Sequence, residues 1–136
     1  MTRGLLLLAH GARDPRWAAP FEALAQRLRA LSPRDEVRLS YLDFLPPGLV
    51  QAGAELAQCG VTRVDVLPLF LGAGGHVRND VPRLVAELAS AYPHVEWVTR
   101  TAIGEVDAVV DAMAAACLAL VAEPNPATTP PARSGA

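Results

Sequence analysis

The feature that most constrains the fold is a regular alternation of short apolar segments with longer segments of helical periodicity. The apolar segments are too short for helices and are bounded by turn residues, which is typical of buried strands. The predicted strands cover residues 4–9, 37–42, 62–67 and 95–99. The predicted helices cover residues 17–31, 49–58, 81–91 and 105–122.

Strands that alternate with helices form right-handed βαβ units around a parallel sheet. The strands are almost entirely apolar, as expected where helices cover both faces of a sheet. We therefore predict a flavodoxin-like, three-layer α/β/α fold with a four-stranded parallel sheet in the order 2-1-3-4. In this order the loops after strands one and three meet at the carboxyl edge of the sheet, where open α/β sheets bind ligands.

The composition fits one globular domain. Hydrophobic residues make up 51% of the 136 residues and charged residues 19%, and we predict an α/β domain over residues 1–122. Residues 123–136 are rich in proline without an apolar period, so they are predicted to form a disordered tail. The formal net charge of -2 argues against a nucleic-acid partner, which would favour a basic surface.

Two further features bear on the location of the protein. The apolar run at residues 4–9 is far too short to span a bilayer and lacks a signal cleavage site, so no membrane partner is expected and a cytoplasmic location is predicted. Cys59 and Cys117 form no metal-binding or redox motif, and their apolar surroundings predict buried free thiols.

A glycine-rich loop follows the third predicted strand. Gly72, Gly74 and Gly75 precede His76, and glycines allow backbone to approach a ligand closely. Asp80 is predicted to cap the next helix, with Pro82 in its first turn. The loop therefore leaves the ligand-binding edge of the sheet and is predicted to bind a ligand.

His10 follows the first predicted strand directly and would overhang the same crevice as His76. A histidine there can bind metal, carry protons, or simply cap the sheet, but a second histidine at the matching edge favours function. Asp43 follows the second strand near His10. Its carboxylate can bind metal weakly, orient a histidine or accept protons, and an ordinary turn acid is an equal alternative.

Arginines flank these loops. Arg13 and Arg16 follow His10, and Arg78 follows His76, so together they would line the rim of the crevice with positive charge, although each alone is typical of a solvated surface. His94 precedes the fourth strand at the opposite edge and is predicted to be an ordinary surface residue.

These residues resemble those of a known family. The first strand ends in His-Gly-Ala-Arg-Asp-Pro, and the third continues as Pro-Leu-Phe-Leu-Gly-Ala-Gly-Gly-His-Val-Arg-Asn-Asp-Val-Pro. The pattern is similar to the short, single-domain sirohydrochlorin chelatases of the CbiX/SirB kind over about residues 4–122. The second block is much more specific than a lone His-Gly pair.

The resemblance implies the class II chelatase fold and a lyase that inserts cobalt or ferrous iron, and in some relatives nickel, into a reduced tetrapyrrole without a nucleotide. It assigns metal handling to His10 and His76, and it implies a homodimer. The family usually has Ser at position 12 and Glu at position 43, where this chain has Ala12 and Asp43. The segment 101–106 also departs from the family pattern.

The residue chemistry agrees with this implication. Two neutral histidines suit a borderline divalent metal and hold it loosely enough for transfer, and histidine can also accept pyrrole protons. The arginines and the amides of Gly74 and Gly75 suit the carboxylates of a tetrapyrrole. A metal or tetrapyrrole carrier fits the same residues. A histidine-phosphatase-like enzyme fits less well, because Ala9 stands where those enzymes have an arginine.

Overall fold

The computed structural model describes residues 2–72 and 74–126, with residues 75–77 described by their backbone. Its strands are β1 (Arg3–Ala9), β2 (Glu36–Tyr41), β3 (Arg63–Pro68) and β4 (Glu96–Thr99). Its α-helices are α1 (Ala19–Leu31), α2 (Leu49–Gln58), α3 (Gly75–Ala91) and α4 (Asp107–Ala122). Short 3-10 turns at Pro15–Ala18 and Ile103–Glu105 precede α1 and α4.

The four strands form one parallel sheet in the order β2-β1-β3-β4, which confirms the predicted fold class and strand order. The central pairing of β1 with β3 runs in register from Arg3 opposite Arg63 to Leu8 opposite Pro68. The loops that follow these two strands therefore leave the same edge side by side, as predicted.

The larger core lies between the sheet and the α2–α3 layer. Leu6, Leu8 and Val66 from the strands pack with Leu56 of α2 and Leu88 of α3, and all five are fully buried. On the other face, α1 covers β1 and β2 through Ala25 and its neighbours. Complete burial of each leucine contributes about 1.5–3 kcal/mol, so these contacts fix the position of the loop-bearing edge.

The third helix begins earlier than predicted. It starts at Gly75, with Gly74 as its N-cap, so Asp80 is not the cap and Pro82 lies inside the helix. Asp80 instead forms an ion pair with Arg83, one turn further along α3, at 3.7 Å. A helix can continue past a proline at the cost of one backbone hydrogen bond, so Pro82 does not fix its start. The consequence is that His76 belongs to the first turn of α3.

The last helix packs differently from the other three. Helices beside a parallel sheet are expected to cover one of its faces, but no residue of α4 is buried. Leu118, Leu120 and Val121 are 71%, 65% and 76% exposed, and the main contacts of α4 are with the 3-10 turn before it. The expectation fails because α4 leaves the domain instead of folding back onto its own sheet.

Other expectations have mixed outcomes. Cys59 and Cys117 are both exposed, so the prediction of buried thiols is wrong. Cys59 ends α2 on its outer side beside Arg38, and Cys117 lies on the uncovered α4. Gly60 follows the end of α2 with a φ of 84°, in the left-handed region that favours glycine. Across residues 2–72 and 74–126, no helix combines the length and apolar character that crossing a membrane requires. Residues 127–136 of the predicted tail lie outside the described residues.

Candidate functional site

His10 is an exposed residue at the carboxyl edge of the sheet, and the residues that hold it in place are buried. Ala9 ends β1 fully buried, and the exposed His10 follows it directly. The imidazole ring packs on the ring of Phe70, with the centroids 4.2 Å apart and the planes tilted by 39°. Phe70 is itself only 2% exposed and belongs to the loop after β3. The loop from one central strand therefore supports the histidine of the other, at the predicted crevice.

His76 is placed by its backbone at the same edge. It is the second residue of α3, and the amide of Arg78 donates to the carbonyl of Gly74 at 3.0 Å. No side chain caps this helix start, so its first amides and the helix dipole are available to an anion. The side chain of His76 lies outside what the structure describes. Its part in a metal site therefore stays a prediction.

Asp43 is joined to His10 through the backbone. Its amide donates to the carbonyl of His10 at 3.0 Å, and the amide of Leu42 donates to the carbonyl of Ala9 at 2.9 Å. Gly11 makes this approach possible, because it has a φ of 85° and a Cβ there would overlap the carbonyl oxygen of Asp43. The Asp43 side chain is exposed. The backbone of Asp43 therefore lies next to that of His10, as predicted.

The predicted arginines occupy different environments. Arg13 lies over the ring of Phe44, with its guanidinium carbon 5.2 Å from the centroid, in cation–π geometry. Arg16 is paired with Asp14 of its own loop at 2.6 Å. The hydrogen bonds from Arg16 lower the pKa of the Asp14 carboxyl, so this pair is already charge-compensated at neutral pH. Arg13 is therefore the better placed of the two to meet an external anion.

Arg78 lines a cavity at the same edge, beyond β3 and β4. The cavity has a volume of about 240 Å³ and is bounded by apolar residues that include Phe70 and Pro82, and by the charged Arg100 and Glu105. Arg100 was missed by sequence reasoning, although its place immediately after β4 is a signal that could have found it. Arg78 brings positive charge to this cavity, whereas Arg100 is already paired with Asp65 at 2.7 Å.

Exposed apolar side chains occur on the loops at this edge of the sheet. Trp17, Phe44 and Leu71 are 66%, 64% and 71% exposed, and they come from the loops after β1, β2 and β3. Trp17 also lines a small cavity beside His10 and Tyr41. Sequence reasoning missed this apolar rim because single apolar residues in loops carry no period. Apolar surface on three loops at one edge is suited to a flat, largely apolar ligand.

His94 lies away from this edge, as predicted. It stands in the connection from α3 to β4, at the amino end of the strands, and its ring meets that of Tyr92 edge-on at 6.3 Å. Among the side chains that the structure describes, no three histidine, cysteine or acidic groups lie close enough together to hold a metal ion.

The fold and its ligand-binding edge define the class first. A four-stranded parallel sheet in this order, flanked by helices, gives the fold that this chain shares with the solved CbiX and SirB structures compared below. The profile of the CbiX family matches residues 4–118, and the chain belongs to that family.

Solved structures show the same architecture. The cobalamin (vitamin B12) biosynthesis CbiX protein from Marinobacter aquaeolei is 28% identical, with a TM-score of 0.76 over 88% of this chain and 97% of that one. The sirohydrochlorin chelatase SirB from Bacillus subtilis subspecies spizizenii, solved in complex with cobalt, has a TM-score of 0.77 at 24% identity, over 88% of this chain and 51% of that one. The second match supports the fold alone.

Related sequences carry a consistent name. The sirohydrochlorin cobaltochelatase of Sulfurisphaera tokodaii is 32% identical over 85 residues, which are 62% of this chain and 69% of that protein. The enzyme of the same name from Saccharolobus solfataricus is 33% identical over 82 residues, 60% of this chain and 62% of its own length. With the exception of the Sulfurisphaera protein, the chain spans less than two thirds of the length of the first relatives it matches.

Proposed function

We propose that the protein is a chelatase of the lyase class that inserts Co²⁺ or Fe²⁺ into sirohydrochlorin or a similar reduced tetrapyrrole. The reaction would need no ATP and would serve cobalamin or siroheme biosynthesis. The observation that carries the proposal is the exposed imidazole of His10, supported by Phe70 at the sheet edge where His76 lies in the first turn of α3. Membership of the CbiX family supports the same assignment.

In this proposal His10 and His76 bind the incoming metal ion, which is a substrate and not a resident cofactor. Imidazole suits a borderline divalent metal, and two such ligands leave coordination positions open for the pyrrole nitrogens. Once the metal has passed to the ring nitrogens, each freed imidazole can accept one of the two protons that the metal displaces. Asp43 is assigned a weaker, supporting role, because its backbone is bonded to that of His10 while its carboxylate remains exposed.

The rest of the edge suits the macrocycle. Trp17, Phe44 and Leu71 offer apolar surface to the face of a flat ring. Arg13, Arg78 and the amides at Gly74 and Gly75 suit the peripheral carboxylates, since they add positive charge around that surface. Arg16 contributes less, because Asp14 already neutralises it.

The proposed working form is a homodimer. One sheet edge is narrow relative to a macrocycle, so a second subunit would supply the other wall of the cleft. The apolar residues of α4 are exposed, which supports contact of this helix with another protein surface. The cytoplasm remains the predicted location.

The experiment that tests the function is anaerobic turnover of sirohydrochlorin with Co²⁺, Fe²⁺ or Ni²⁺, followed by the absorbance change on metallation. We expect His10→Ala and His76→Ala each to lower the rate on the order of 10²-fold or more. His94→Ala is the matched control, because it removes the same side chain at the opposite edge. All three variants should keep the wild-type circular dichroism spectrum.

The outcomes separate the alternatives. Tight binding of metal and tetrapyrrole without turnover would replace the chelatase with a carrier. Near-normal turnover in both His10→Ala and His76→Ala would refute the assignment of the site while leaving the reaction in place. Hydrolysis of p-nitrophenyl phosphate by the wild type, lost in His10→Ala, would instead favour the phosphatase alternative.

A further inference from the structure

We propose that the small cavity beside His10 is a specificity subsite, which takes the methyl group that a reduced pyrrole ring carries on a saturated carbon. The subsite would favour C-methylated, reduced tetrapyrroles over flat porphyrins. The inference rests on the proposed function and adds the feature by which the substrate is selected. Three observations carry it: the position of the cavity, its uncharged lining, and its contrast with the cavity that Arg78 lines.

The cavity lies at the carboxyl edge of the sheet, next to the histidine proposed to bind the metal. His10 and Trp17 are among its lining residues, and both are exposed, so the cavity opens toward the proposed ligand surface. Leu45 and Leu69 line it from the loops after β2 and β3. A ligand centred over His10 would therefore cover the mouth of this cavity with part of its periphery.

The inner walls of the cavity are held in place by the fold. Phe21 of α1 is half-buried, and Tyr41 at the end of β2 is only 6% exposed. These two residues pack in one cluster with the fully buried Ala9. The amide of Leu69 donates to the carbonyl of Leu8 at 2.8 Å, which ties another wall to β1. The cavity is therefore a preformed feature of the edge, as small-molecule subsites usually are.

The lining of the cavity lacks a fixed charge. Among the residues that the structure describes, neither an arginine nor an acidic residue lines it. Burial raises the pKa of the Tyr41 phenol, so this residue is neutral near pH 7, and His10 is neutral when it binds a metal. Burying a carboxylate without a cationic partner is costly, whereas an apolar group is stabilised when it leaves water. The cavity therefore favours an apolar substituent over a carboxylate.

A methyl group on a saturated ring carbon has the size and the direction that the cavity requires. The cavity has a volume of about 90 Å³, and a water-sized group such as methyl needs only about 10–15 Å³ of such space. Because the bonds of a saturated carbon are tetrahedral, the methyl group projects from one face of the macrocycle and the acetate on the same carbon from the other. A ring that lies with one face on the sheet edge would insert the methyl group into the cavity and keep the acetate outside.

The cavity lined by Arg78 differs in character. It lies beyond the ends of β3 and β4, has a larger volume of about 240 Å³, and contains the charged side chains of Arg78 and Glu105. It is also lined by Phe70, whereas the smaller cavity is lined by His10, and these two rings pack on each other. The polar and the apolar cavity therefore flank the proposed metal site on two sides. A macrocycle with unlike edges would place a polar substituent at one and a methyl group at the other, which fixes its orientation.

Binding of metal-free tetrapyrroles tests the subsite without requiring turnover. Uroporphyrin III carries the same kinds of acetate and propionate side chains as sirohydrochlorin, but it lacks the saturated ring carbons and their methyl groups. Absorbance titration gives the Kd of each ligand for the wild type and for Leu45→Phe and Phe21→Trp, which fill the cavity from two different walls. Leu31→Phe, at the exposed end of α1, is the matched control. Circular dichroism identifies the variants that are folded, and either filled variant alone is sufficient for the test.

The subsite predicts a preference that depends on the cavity. We expect the wild type to bind sirohydrochlorin tighter than uroporphyrin III on the order of 10-fold or more. Filling the cavity should weaken the binding of sirohydrochlorin by about 10-fold and change that of uroporphyrin III little, so that the preference is lost. Leu31→Phe should keep the preference of the wild type.

Three results would overturn the subsite. They are equal affinity of the wild type for the two ligands, a preference that survives in a folded variant with a filled cavity, and failure of the wild type to bind either ligand. The chelatase assignment is tested separately by metallation. Metallation of sirohydrochlorin without a preference in binding would refute the subsite alone, whereas a cavity-dependent preference without metallation would refute the chelatase assignment alone.

Discussion

Replacing Gly11 by alanine should disturb the histidine edge far more than the same change at Gly60. The two glycines have nearly equal φ angles, 85° and 84°, in the left-handed region that side chains disfavour. They differ in their surroundings. A Cβ on Gly60 meets nothing within 4 Å, whereas a Cβ on Gly11 overlaps the carbonyl oxygen of Asp43.

The magnitudes follow from this difference. Both variants incur the cost of a left-handed backbone for a residue with a Cβ, about 1–2 kcal/mol in the free energy of unfolding. Gly11→Ala must also displace the backbone of Asp43, and overpacking of this kind costs about 1–3 kcal/mol more. We therefore expect a loss of about 1–2 kcal/mol for Gly60→Ala and about 2–5 kcal/mol for Gly11→Ala.

Gly11→Ala and Gly60→Ala should differ even more in activity than in stability. The Asp43 amide donates to the carbonyl of His10, so moving this loop disturbs the residue that carries the imidazole. Urea unfolding gives the stabilities, and metallation of sirohydrochlorin in the absence of urea gives the activities of the folded variants. Equal destabilisation by the two substitutions would refute the contact with Asp43. Full activity in Gly11→Ala would refute the claim that this contact positions His10.

Three further changes have defined expectations. Leu56→Ala should lower the free energy of unfolding by about 2–5 kcal/mol in urea titration, because Leu56 is fully buried between α2 and the sheet. Burial raises the pKa of the Asp65 carboxyl, but hydrogen bonds from Arg63 and Arg100 have the larger, opposite effect, so the pKa is lowered overall. Asp65 therefore stabilises the fold fully above its unfolded pKa of about 3.9 and loses this contribution as the pH falls further, so Asp65→Asn should have a flatter stability profile at acid pH. Arg78→Gln should raise KM for the tetrapyrrole with little change in kcat. Arg16→Gln should change KM less, because Arg16 is already paired with Asp14. Equal changes of KM in the two variants would contradict the weaker role given to Arg16.

The strand order was predictable because the pattern behind it is strong. Buried parallel strands read as continuous apolar runs, and the positions of residues such as Leu6 and Val66 in the core follow from them. The start of α3 was not predictable, because Pro82 is favourable in a first turn and tolerable further inside a helix. The hydrophobicity of α4 was visible in the sequence, but hydrophobicity does not state whether the surface that covers a helix belongs to the same chain.

The candidate site was predictable in part for a related reason. Strand order alone brings the loop that carries His10 and the start of α3 that carries His76 to one edge of the sheet. The support of His10 by Phe70 required knowledge of how the loop after β3 turns back over the sheet. The pairing of Arg16 with Asp14 depends on the local 3-10 turn, in which Asp14 is the N-cap and Arg16 the second residue. Such contacts depend on loop conformation, for which a sequence offers no periodic signal.

At the carboxyl edge of the sheet, the backbone is hydrogen-bonded while the side chain of His10 is exposed. The contacts that stabilise the fold there are therefore distinct from the group proposed to act on the ligand. Backbone hydrogen bonds join the loop after β1 to that after β2, through the amide of Leu42 and the carbonyl of Ala9, and the amide of Leu69 donates to Leu8 of β1. The segment after β4 is joined to the same platform through Gly104 and Phe70. His10 stands on this platform without contributing to the core, so evolution can change the side chains around it while the platform keeps its shape. The turn before α4 belongs to the same platform, because Gly104 is bonded to Phe70 and Phe70 packs on the imidazole of His10.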